Sequence, residues 1–246
     1  MSKVWFITGA GRGIGQTLVL GFAQQGATVL IHYAHAEQQA QSIRDQIESS
    51  GGHAHLVQAD LSHPNAAQQL VEKAHAILGP IDIWINNAGA SANSRETQGM
   101  SDVEKFDRIM ALDVRATWLC SRTAAPLMRD GGCIITIGWD HALDGATGLP
   151  SQLYAMSKGA IISLTRCLAQ EYAPRLRVNC IAPGFVENDW ASTLPDASRQ
   201  RLINKVPMQR WGQPDDILQA ALFLASPAAS FITGQVIVVD GGEVMR

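Results

Sequence analysis

Charged residues are scarce in this sequence: they make up 17% of its 246 residues and do not gather into a basic cluster. With a net charge of −3, neither nucleic acid nor an anionic membrane surface is an expected partner. Long apolar runs are also missing, because none approaches the roughly 18–20 residues that a membrane-spanning helix needs. The chain starts directly on an apolar segment that leaves no room for a signal peptide, so we expect a cytoplasmic protein.

Groups that would build a disulfide framework or a metal site are few. The cysteines form no C-x-x-C pair, which is typical of core residues in a reducing compartment; they are Cys120, Cys133, Cys167 and Cys180. His53-x-His55 would place two imidazoles on one strand face, but no Cys, Asp or Glu completes a set of ligands nearby. We therefore expect no bound metal and interpret both histidines as solvated residues of an edge strand.

The sequence does contain a regular alternation of strand and helix patterns. Apolar residues reach 46%, enough for a sizeable core. Strands are predicted at residues 4–7, 27–31, 54–58, 81–85, 133–137, 177–181 and 235–239. Helices are predicted from residue 16 and at about 36–50, 64–78, 102–128, 152–172 and 215–224. Because strands separated by helices form parallel sheets covered on both faces, we predict one doubly wound α/β domain over residues 1–246.

A glycine-rich turn lies between the first strand and the first helix, Thr8-Gly9-Ala10-Gly11-Arg12-Gly13-Ile14-Gly15. Such a turn presents bare backbone N–H groups at the positive end of a helix dipole, where a phosphate can approach closely. Glycine suits positions where a side chain would block the phosphate or where φ must be positive. The spacing is G-x-x-x-G-x-G and not G-x-G-x-x-G, so the loop alone predicts a phosphate site and no particular cofactor.

Polar or glycine-containing segments end several of the predicted strands. In a doubly wound sheet the ligand lies beyond the carboxyl ends of the strands, near the point where the strand order reverses. Besides the glycine loop, these endings are His32–His35, Asp60-Leu61, Asn86–Gly89, Gly138–His141 and Ala182–Gly184. We therefore predict that they meet at one ligand-binding rim.

In this order, the motifs resemble those of the short-chain dehydrogenase/reductase family over essentially the whole chain. The matching pieces are Thr8-Gly9-x-x-x-Gly13-x-Gly15, Asp60-Leu61, Asn86-Asn87-Ala88-Gly89, Tyr154-x-x-x-Lys158, Pro183-Gly184 and Asp240-Gly241-Gly242. The resemblance implies a Rossmann-type domain with a seven-stranded parallel sheet, a nicotinamide cofactor, a small-molecule substrate and, commonly, a homotetramer. It places Asp60 at the adenine amino group and Leu61 at the ring edge, with residues 87–89 on the adenosine side. Gly184 and Val186 would line the nicotinamide side.

The choice between the two nicotinamide cofactors depends on the end of the second strand. An NAD site uses a carboxylate there to accept the ribose hydroxyls, and residues 31–36 contain none. Arg12 and His35 are placed to meet a 2′-phosphate, so NADP(H) is favoured; the alternative is that both are ordinary solvated side chains. The expected cofactor-binding residues are Gly9, Arg12, Gly13, Ile14, Gly15, His35, Asp60, Leu61, Asn87, Ala88, Gly89, Tyr154, Lys158, Pro183, Gly184 and Val186.

Tyr154 and Lys158 are four residues apart on a predicted helix, so both side chains extend from one helix face. A free tyrosine has a pKa of about 10, and a nearby ammonium is expected to lower it toward neutral pH. By resemblance to the family, Tyr154 donates the proton to a carbonyl or imine substrate that receives a hydride. Lys158 would tune Tyr154 and hold the nicotinamide ribose.

Asp113 is the first departure from the family pattern, which usually has an asparagine in the helix after strand four. An asparagine can relay a proton through water while it stays neutral. A carboxylate near Lys158 is expected to pair with the ammonium and to change the electrostatics. The alternative is that Asp113 is tolerated as a near-isostere of asparagine.

The second departure is the absence of the family's serine, which hydrogen-bonds the substrate oxygen, after strand five. Aligning from the strand end puts Trp139 in its place, and counting back from Tyr154 puts His141 there. In the pteridine-reductase branch an aspartate replaces the serine and helps protonate a ring nitrogen; His32-Tyr33 after strand two also resembles that branch. We favour Asp140 as the third catalytic group, with His141 second, over the alternative that residues 139–141 only shape the pocket.

Residues of about 185–206 have the polar mixture of a substrate-covering lid, with Trp190 and Pro195 among them. Asn188 stands where the family often has a threonine that touches the cofactor carboxamide. Two functions follow. The first is an NADPH-dependent oxidoreductase acting on a small carbonyl compound or a pterin-like C=N bond. The second, which the missing serine and asparagine favour, is a catalytically weak NADP(H)-binding sensor or partner subunit of the same fold.

Overall fold

Within residues 3–188 and 191–245, which the computed structural model describes, seven strands form one parallel sheet. The strands are β1 (Val4–Ile7), β2 (Thr28–Tyr33), β3 (His53–Gln58), β4 (Ile81–Asn86), β5 (Met128–Ile137), β6 (Leu176–Pro183) and β7 (Val236–Val239). Their order across the sheet is β3-β2-β1-β4-β5-β6-β7, and every neighbouring pair is parallel. The predicted fold class is confirmed. Trp190 of the expected lid lies outside the described residues.

The α-helices of the same part of the chain follow the predicted alternation. They are α1 (Gly13–Gln24), α2 (Glu37–Ser49), α3 (Ala66–Leu78), α4 (Asp102–Ile109), α5 (Ala116–Ala124), α6 (Leu149–Tyr172), α7 (Asp196–Ile203) and α8 (Pro214–Ala225). The single helix predicted over 102–128 was wrong, because a π-helical segment at Met110–Arg115 separates α4 from α5 and Met128 already belongs to β5. Helix α7 was not predicted; it has no buried residue, so it leaves no apolar periodicity to detect.

Side chains of alternate residues in β1 enter two separate cores, one on each face of the sheet. Trp5 and Ile7 pack with the apolar faces of α1, α2 and α8. Val4 and Phe6 pack with α3, α5 and α6, and Phe6 stacks on Trp84 with ring centroids 4.1 Å apart. Both faces of the strand are therefore buried, as its uninterrupted apolar sequence indicates.

The exposure of the cysteines and of two histidines can be compared with what the sequence predicts. Cys167 is exposed on α6 and is not a core residue, whereas the other three cysteines are buried. His53 and His55 are exposed on β3, which is an edge strand, as expected. No described helix is long and apolar enough to cross a membrane.

The strand order reverses beside β1. The chain runs from β1 to β2 and β3 on one side and then returns to β4 on the other. The carboxyl ends of β1 and β4 therefore flank the point where ligands bind in doubly wound sheets.

Candidate active site

The glycine loop fits closely against the segment that follows β4. Gly9 and Gly13 have φ angles of 65° and 54°, which favour glycine. A Cβ on Gly9 would lie 2.8 Å from Ala88 Cα, and a Cβ on Gly15 would lie 2.2 Å from the Gly9 carbonyl oxygen. Two of the glycines thus let the loop pack against the β4 segment and against itself.

The same loop leaves open space where a phosphate would bind. A Cβ on Gly13 would meet no atom within 4 Å. Helix α1 has no side-chain cap and no acidic residue in its first turn, and Ile14 packs back against the core. The first N–H groups of α1 are therefore suited to an anion, and the residues present fit the phosphates of a dinucleotide.

Thr8 joins the glycine loop to the segment after β4. Its Oγ1 accepts hydrogen bonds from the backbone N–H groups of Asn87 and Ala88, each at 2.9 Å. In return, Asn87 Nδ2 donates to the carbonyl oxygens of Thr8 and Gly9 at 3.0 Å. The side chain of Asn87, expected on the adenosine side, is used to hold the loop.

His32 lies inside β2 and not after it, and sequence reasoning missed its part in the site. The Gly9 N–H donates to His32 Nδ1, and His32 Nε2 lies 2.9 Å from the Ala59 carbonyl oxygen, which fits a neutral ring protonated at Nε2. Burial lowers the pKa of His32 to about 4, although the bond to Ala59 opposes this. The detectable signal was its place at the end of an apolar strand, directly after Ile31.

Asp60 lies at the end expected to bind the adenosine. Its Oδ2 is 3.9 Å from His35 Nε2 and 3.8 Å from His63 Nε2, and its Oδ1 accepts the Ser62 N–H. Burial acts to raise the pKa of Asp60, but these neighbours hold it below its ordinary value. Leu61 beside it is buried. His35 is thus brought next to Asp60.

Arg12 extends from the glycine loop with 68% of its side chain exposed. Its guanidinium lies 3.7 Å from Glu96 Oε1. The loop also runs close to the end of β2, because a Cβ on Gly11 would lie 3.1 Å from the Ala36 Cβ. The position fits the expected 2′-phosphate contact, with Glu96 as a competing partner.

Lys158 is buried at the carboxyl end of β5. Its ammonium donates to the Ile137 carbonyl oxygen at 3.2 Å and lies 5.2 Å from the centre of the Tyr154 ring. The expected pairing with Asp113 is confirmed, with Nζ 3.2 Å from Oδ2. A Cβ on Gly89 would fall against this pair, 2.9 Å from Asp113 Oδ1 and 3.5 Å from Lys158 Nζ.

Asp113 is fully buried in the π-helical segment between α4 and α5. Its Oδ1 accepts the Ala90 N–H at 2.8 Å, and its Oδ2 accepts the Ser157 hydroxyl at 2.9 Å. With Lys158 the carboxylate has three donors, which compensate for its burial. π-Helical segments often occur at functional sites, where they re-aim a side chain.

The carboxylates around Tyr154 change the expected electrostatics. Burial raises the pKa of Tyr154; the Lys158 ammonium opposes this, and the charges of Asp113 and Asp140 add to the increase. The expected net lowering of the Tyr154 pKa was therefore wrong, because burial of the phenol outweighs the effect of the Lys158 ammonium, and the charge of Asp113 offsets part of that effect. Burial acts to lower the pKa of Lys158, but Asp113 and Tyr154 raise it above its ordinary value.

The segment after β5 places Trp139 beside Tyr154. Their ring centroids are 5.2 Å apart in an edge-on arrangement, and Trp139 stacks on His141 at 5.4 Å. The His141 ring lies 6.4 Å from Phe185, which in turn lies 5.4 Å from Trp211. These rings form a continuous aromatic wall, which we define as Trp139, His141, Phe185 and Trp211.

Asp140 is buried and contacts its own neighbour, His141. Its Oδ1 accepts the His141 backbone N–H at 2.7 Å and lies 2.8 Å from His141 Nδ1. Burial raises the pKa of Asp140, against the effect of His141, and Asp240 adds to the increase. Glu243 Oε1 lies 3.7 Å from His141 Nε2. Sequence reasoning missed Glu243, since nothing local links it to a residue about a hundred positions earlier.

The expected nicotinamide side is formed by the end of β6. Pro183 is the last residue of the strand, and Val186 is buried. A Cβ on Gly184 would lie 2.6 Å from Asp240 Cβ and 3.0 Å from Asp140 Oδ2. Gly184 thus allows three segments to meet beside Asp140.

The expected lid contains α7, and contacts with residues 211 and 212 hold it in place. Val186 bridges to Gly212, and the Arg199 guanidinium pairs with Glu187 and covers the Trp211 ring. Asn188 Oδ1 accepts the Ala191 N–H at 2.9 Å, so the Asn188 side chain is engaged within the lid.

Known proteins share both this sequence pattern and this fold. The family model described as enoyl-(acyl carrier protein) reductase matches residues 9–243. A short-chain dehydrogenase/reductase from Serratia marcescens has a similar structure, with a TM-score of 0.89 and 32% identity over 99% of this chain and 98% of that one. The chain belongs to the short-chain dehydrogenase/reductase family. It is therefore a member of a family of oxidoreductases.

Two further relatives of this short-chain dehydrogenase/reductase are informative. The 3-oxoacyl-[acyl-carrier-protein] reductase of Staphylococcus aureus is 32% identical over 100% of this chain and 99% of its own length. A blue fluorescent protein from a metagenomic library, whose structure is a complex with NADPH, matches with a TM-score of 0.90 and 33% identity. That match covers 99% of this chain and 98% of the other.

Proposed function

We propose that this protein is an NADPH-dependent reductase that directs a hydride to a small carbonyl compound or a pterin-like C=N bond, with Tyr154 as the proton donor. One observation carries the proposal. Tyr154 lies next to Lys158, which is buried and held by the Ile137 carbonyl oxygen and Asp113, on the same edge of the sheet as the glycine loop. A sensor without catalysis would gain little from burying an ammonium next to a phenol, because burying charged groups costs desolvation energy even when they are paired, as Lys158 is with Asp113.

The cofactor preference rests on three features. Residues 31–36 at the end of β2 contain no carboxylate, Arg12 extends from the glycine loop, and a structural relative at 33% identity is a complex with NADPH. When bound, NADPH supplies the hydride. Glycines 9, 13 and 15 would admit the phosphates, Arg12 and His35 would meet the 2′-phosphate, and Lys158 would hold the nicotinamide ribose.

The raised pKa of Tyr154 favours the reductive direction. A phenol that stays protonated at neutral and mildly basic pH can give its proton to a developing alkoxide or to a ring nitrogen. Lys158 would stabilise the phenolate that remains. We assign Asp140 as the third polar group of the site, acting on the substrate together with the His141 that it orients.

The aromatic wall indicates the shape of the substrate. Trp139 stands beside Tyr154 where the strand alignment expects the family's serine, so the substrate meets a ring face at that point. Flat molecules stack on such surfaces. We therefore expect a ring-bearing ketone or a dihydropteridine-like compound to be preferred over an acyclic aldehyde.

We also propose a cytoplasmic homotetramer. Its support is the set of apolar side chains exposed on α4, α5 and α6, which a monomer would leave in water: Val103, Phe106, Trp118 and Met156. The free thiols suit a reducing compartment.

The decisive experiment mixes the purified protein with NADPH and a panel of ketones, aldehydes, quinones and dihydropteridines. We expect NADPH oxidation with at least one ring-bearing substrate, lost in Tyr154→Phe and kept in the control Tyr172→Phe on the same helix. Tight NADPH binding with no oxidation across the panel, unchanged by Tyr154→Phe, would favour the sensor. Equal NADPH affinity of Arg12→Ala and the parent would contradict the assignment of the 2′-phosphate contact.

A further inference from the structure

The glycine loop and the segment that follows β4 are joined at two places. Near the strand ends, Asn87 Nδ2 donates to the carbonyl oxygens of Thr8 and Gly9 at 3.0 Å. Farther along both segments, the Arg12 guanidinium lies 3.7 Å from Glu96 Oε1. The carboxyl ends of β1 and β4 flank the crevice where ligands bind in this type of sheet. The second contact therefore links two segments that border the expected cofactor crevice.

Glu96 is held in position by the turn that carries it. It lies in a short 3₁₀ helix at Arg95–Thr97. Thr97 is fully buried, and its hydroxyl lies 3.0 Å from the carbonyl oxygens of Ser91 and Ser94. These contacts restrain the turn, so the Glu96 carboxylate stays close to the glycine loop when other side chains move.

A second arginine also compensates the charge of Glu96. Arg108 of α4 donates to Glu96 Oε2 at 2.8 Å, and only 22% of its side chain is exposed. Arg12 approaches the other oxygen at 3.7 Å and has 68% of its side chain exposed. If Arg12 moves away, the carboxylate keeps a hydrogen-bonded cation. The departure of Arg12 therefore leaves no unpaired charge behind.

Arg12 lies between Glu96 and the end of β2. The glycine loop approaches that strand end closely, because a Cβ on Gly11 would lie 3.1 Å from the Ala36 Cβ. Residues 31–36 contain no carboxylate, so a 2′-phosphate would supply the negative charge there. An exposed side chain changes rotamer within nanoseconds. Arg12 can thus turn from the carboxylate to the phosphate without a change in the backbone.

We propose that Glu96 is a specificity-determining residue for the cofactor, and that Arg12 exchanges Glu96 for the 2′-phosphate when NADPH binds. The inference rests on the proposed function, which assigns the 2′-phosphate contact to Arg12. NADH carries a hydroxyl at this position, so Arg12 keeps its contact with Glu96 when NADH binds. The exchange therefore lowers the affinity for NADPH only, and Glu96 narrows the preference between the two cofactors.

The size of the effect follows from the exposure of the ion pair. The Arg12 and Glu96 side chains are 68% and 48% exposed. Ion pairs of this kind change an equilibrium constant by roughly 1.5- to fivefold, and salt screens them. A phosphate accepts two parallel hydrogen bonds from a guanidinium, so the exchange remains favourable. Glu96 therefore tunes the affinity for NADPH and does not abolish it.

The test compares the dissociation constants of NADPH and NADH, measured by fluorescence titration at low ionic strength. Glu96→Gln keeps the size of the side chain and removes its charge. We expect this variant to bind NADPH about two- to fivefold more tightly than the parent and NADH equally. The matched control is Glu104→Gln, since that carboxylate contacts Ser101, and it should bind both cofactors as the parent does. Unchanged NADPH affinity in Glu96→Gln, or an equal gain for NADH, overturns the proposal.

A second comparison separates the exchange from direct repulsion between Glu96 and the phosphate. In an Arg12→Ala background, Glu96→Gln should leave the NADPH affinity unchanged, because no guanidinium remains to be released. A gain as large as in the presence of Arg12 would show direct repulsion and overturn the exchange.

Failure of the proposed cofactor contact gives a different result. If Arg12→Ala binds NADPH as tightly as the parent, Arg12 does not hold the 2′-phosphate, and the exchange is overturned with that contact. If Arg12→Ala binds NADPH more weakly but Glu96→Gln matches the parent, the contact stands and only the exchange is overturned.

Discussion

Lys158 and Asp113 form a buried ion pair, with Nζ 3.2 Å from Oδ2, and the Lys158 ammonium lies 5.2 Å from the centre of the Tyr154 ring. The ammonium that stabilises a tyrosinate in this arrangement is therefore shared with a permanent negative charge. The family's asparagine would leave the full charge of Lys158 to act on Tyr154. With Asp113 in place of asparagine, the phenol of Tyr154, the proposed proton donor, is held more firmly in its protonated form.

Asp113→Asn tests this electrostatic effect. The substitution removes a charge that raises the pKa of Tyr154, so that pKa should fall. Carbonyl reduction needs the protonated phenol, and we expect the basic limb of kcat/KM against pH to move down by roughly one pH unit. The control is Asp107→Asn, the same change at an exposed position of α4. Superimposable profiles for Asp113→Asn and the parent would show that Asp113 does not act on Tyr154.

Trp139 is expected to set substrate preference without affecting the cofactor. Its ring contacts those of Tyr154 and His141, and such aromatic contacts contribute about 0.5–1.5 kcal/mol each. Trp139→Ala should raise KM for a ring-bearing substrate up to about tenfold and leave the NADPH dissociation constant unchanged. Trp139→Phe should restore most of the loss. If an acyclic aldehyde suffers as much as the ring compound, Trp139 has a general structural role and does not stack on the substrate.

Alanine substitutions at Gly15 and Gly26 distinguish the effect of a steric clash in the loop from the effect of backbone strain. A Cβ on Gly15 would lie 2.2 Å from the Gly9 carbonyl oxygen, so Gly15→Ala must displace the loop. Gly26 has a φ of 77° but open space around it, so Gly26→Ala should lower the free energy of unfolding by about 1–2 kcal/mol only. We expect NADPH affinity to fall at least tenfold in Gly15→Ala and to stay constant in Gly26→Ala, measured by fluorescence titration. Equal affinities would show that the loop adapts.

His32 should make stability depend on pH. Its pKa is about 4 in the folded chain against an ordinary 6.5, so its contribution is complete above pH 6.5 and is lost as pH falls toward 4. The free energy of unfolding should lose about 2 kcal/mol through this group between about pH 7.5 and about pH 5. His32→Gln cannot titrate, so its difference from the parent in urea unfolding should shrink by that amount. His53→Gln on the exposed edge strand should show no such change.

Much of the fold and the glycine loop could be predicted, because their sequence signals come from residues that are neighbours along the chain. Apolar strands, helix periodicity and the glycine spacing all depend on neighbours in sequence. The Lys158–Asp113 pair was predictable as well, because opposite charges at two motif positions must meet. The π-helical segment that presents Asp113 was not, since its apolar pattern is indistinguishable from that of a regular helix.

The substrate side was less predictable because it depends on the path of a loop. Two alignments put either Trp139 or His141 in place of the missing serine, and Asp140 between them was favoured as the catalytic group. Only the turn at residues 140–142 decides that Trp139 faces Tyr154. Glu243 and His32 act through contacts with distant segments. Glu243 has no local signal that separates it from an ordinary surface acid, and the only signal for His32 is its position directly after the apolar run of β2.

The hydrogen bonds of Thr8 also constrain the order in which parts of the protein can fold during synthesis. Its Oγ1 partners, Asn87 and Ala88, lie 79 and 80 residues further along the chain. At about 5–20 residues per second, a ribosome finishes them about 4–16 seconds after Thr8. Throughout that interval the nascent glycine loop lacks the segment that holds it. The glycine loop can therefore reach its packed conformation only after the first four strands have been synthesised.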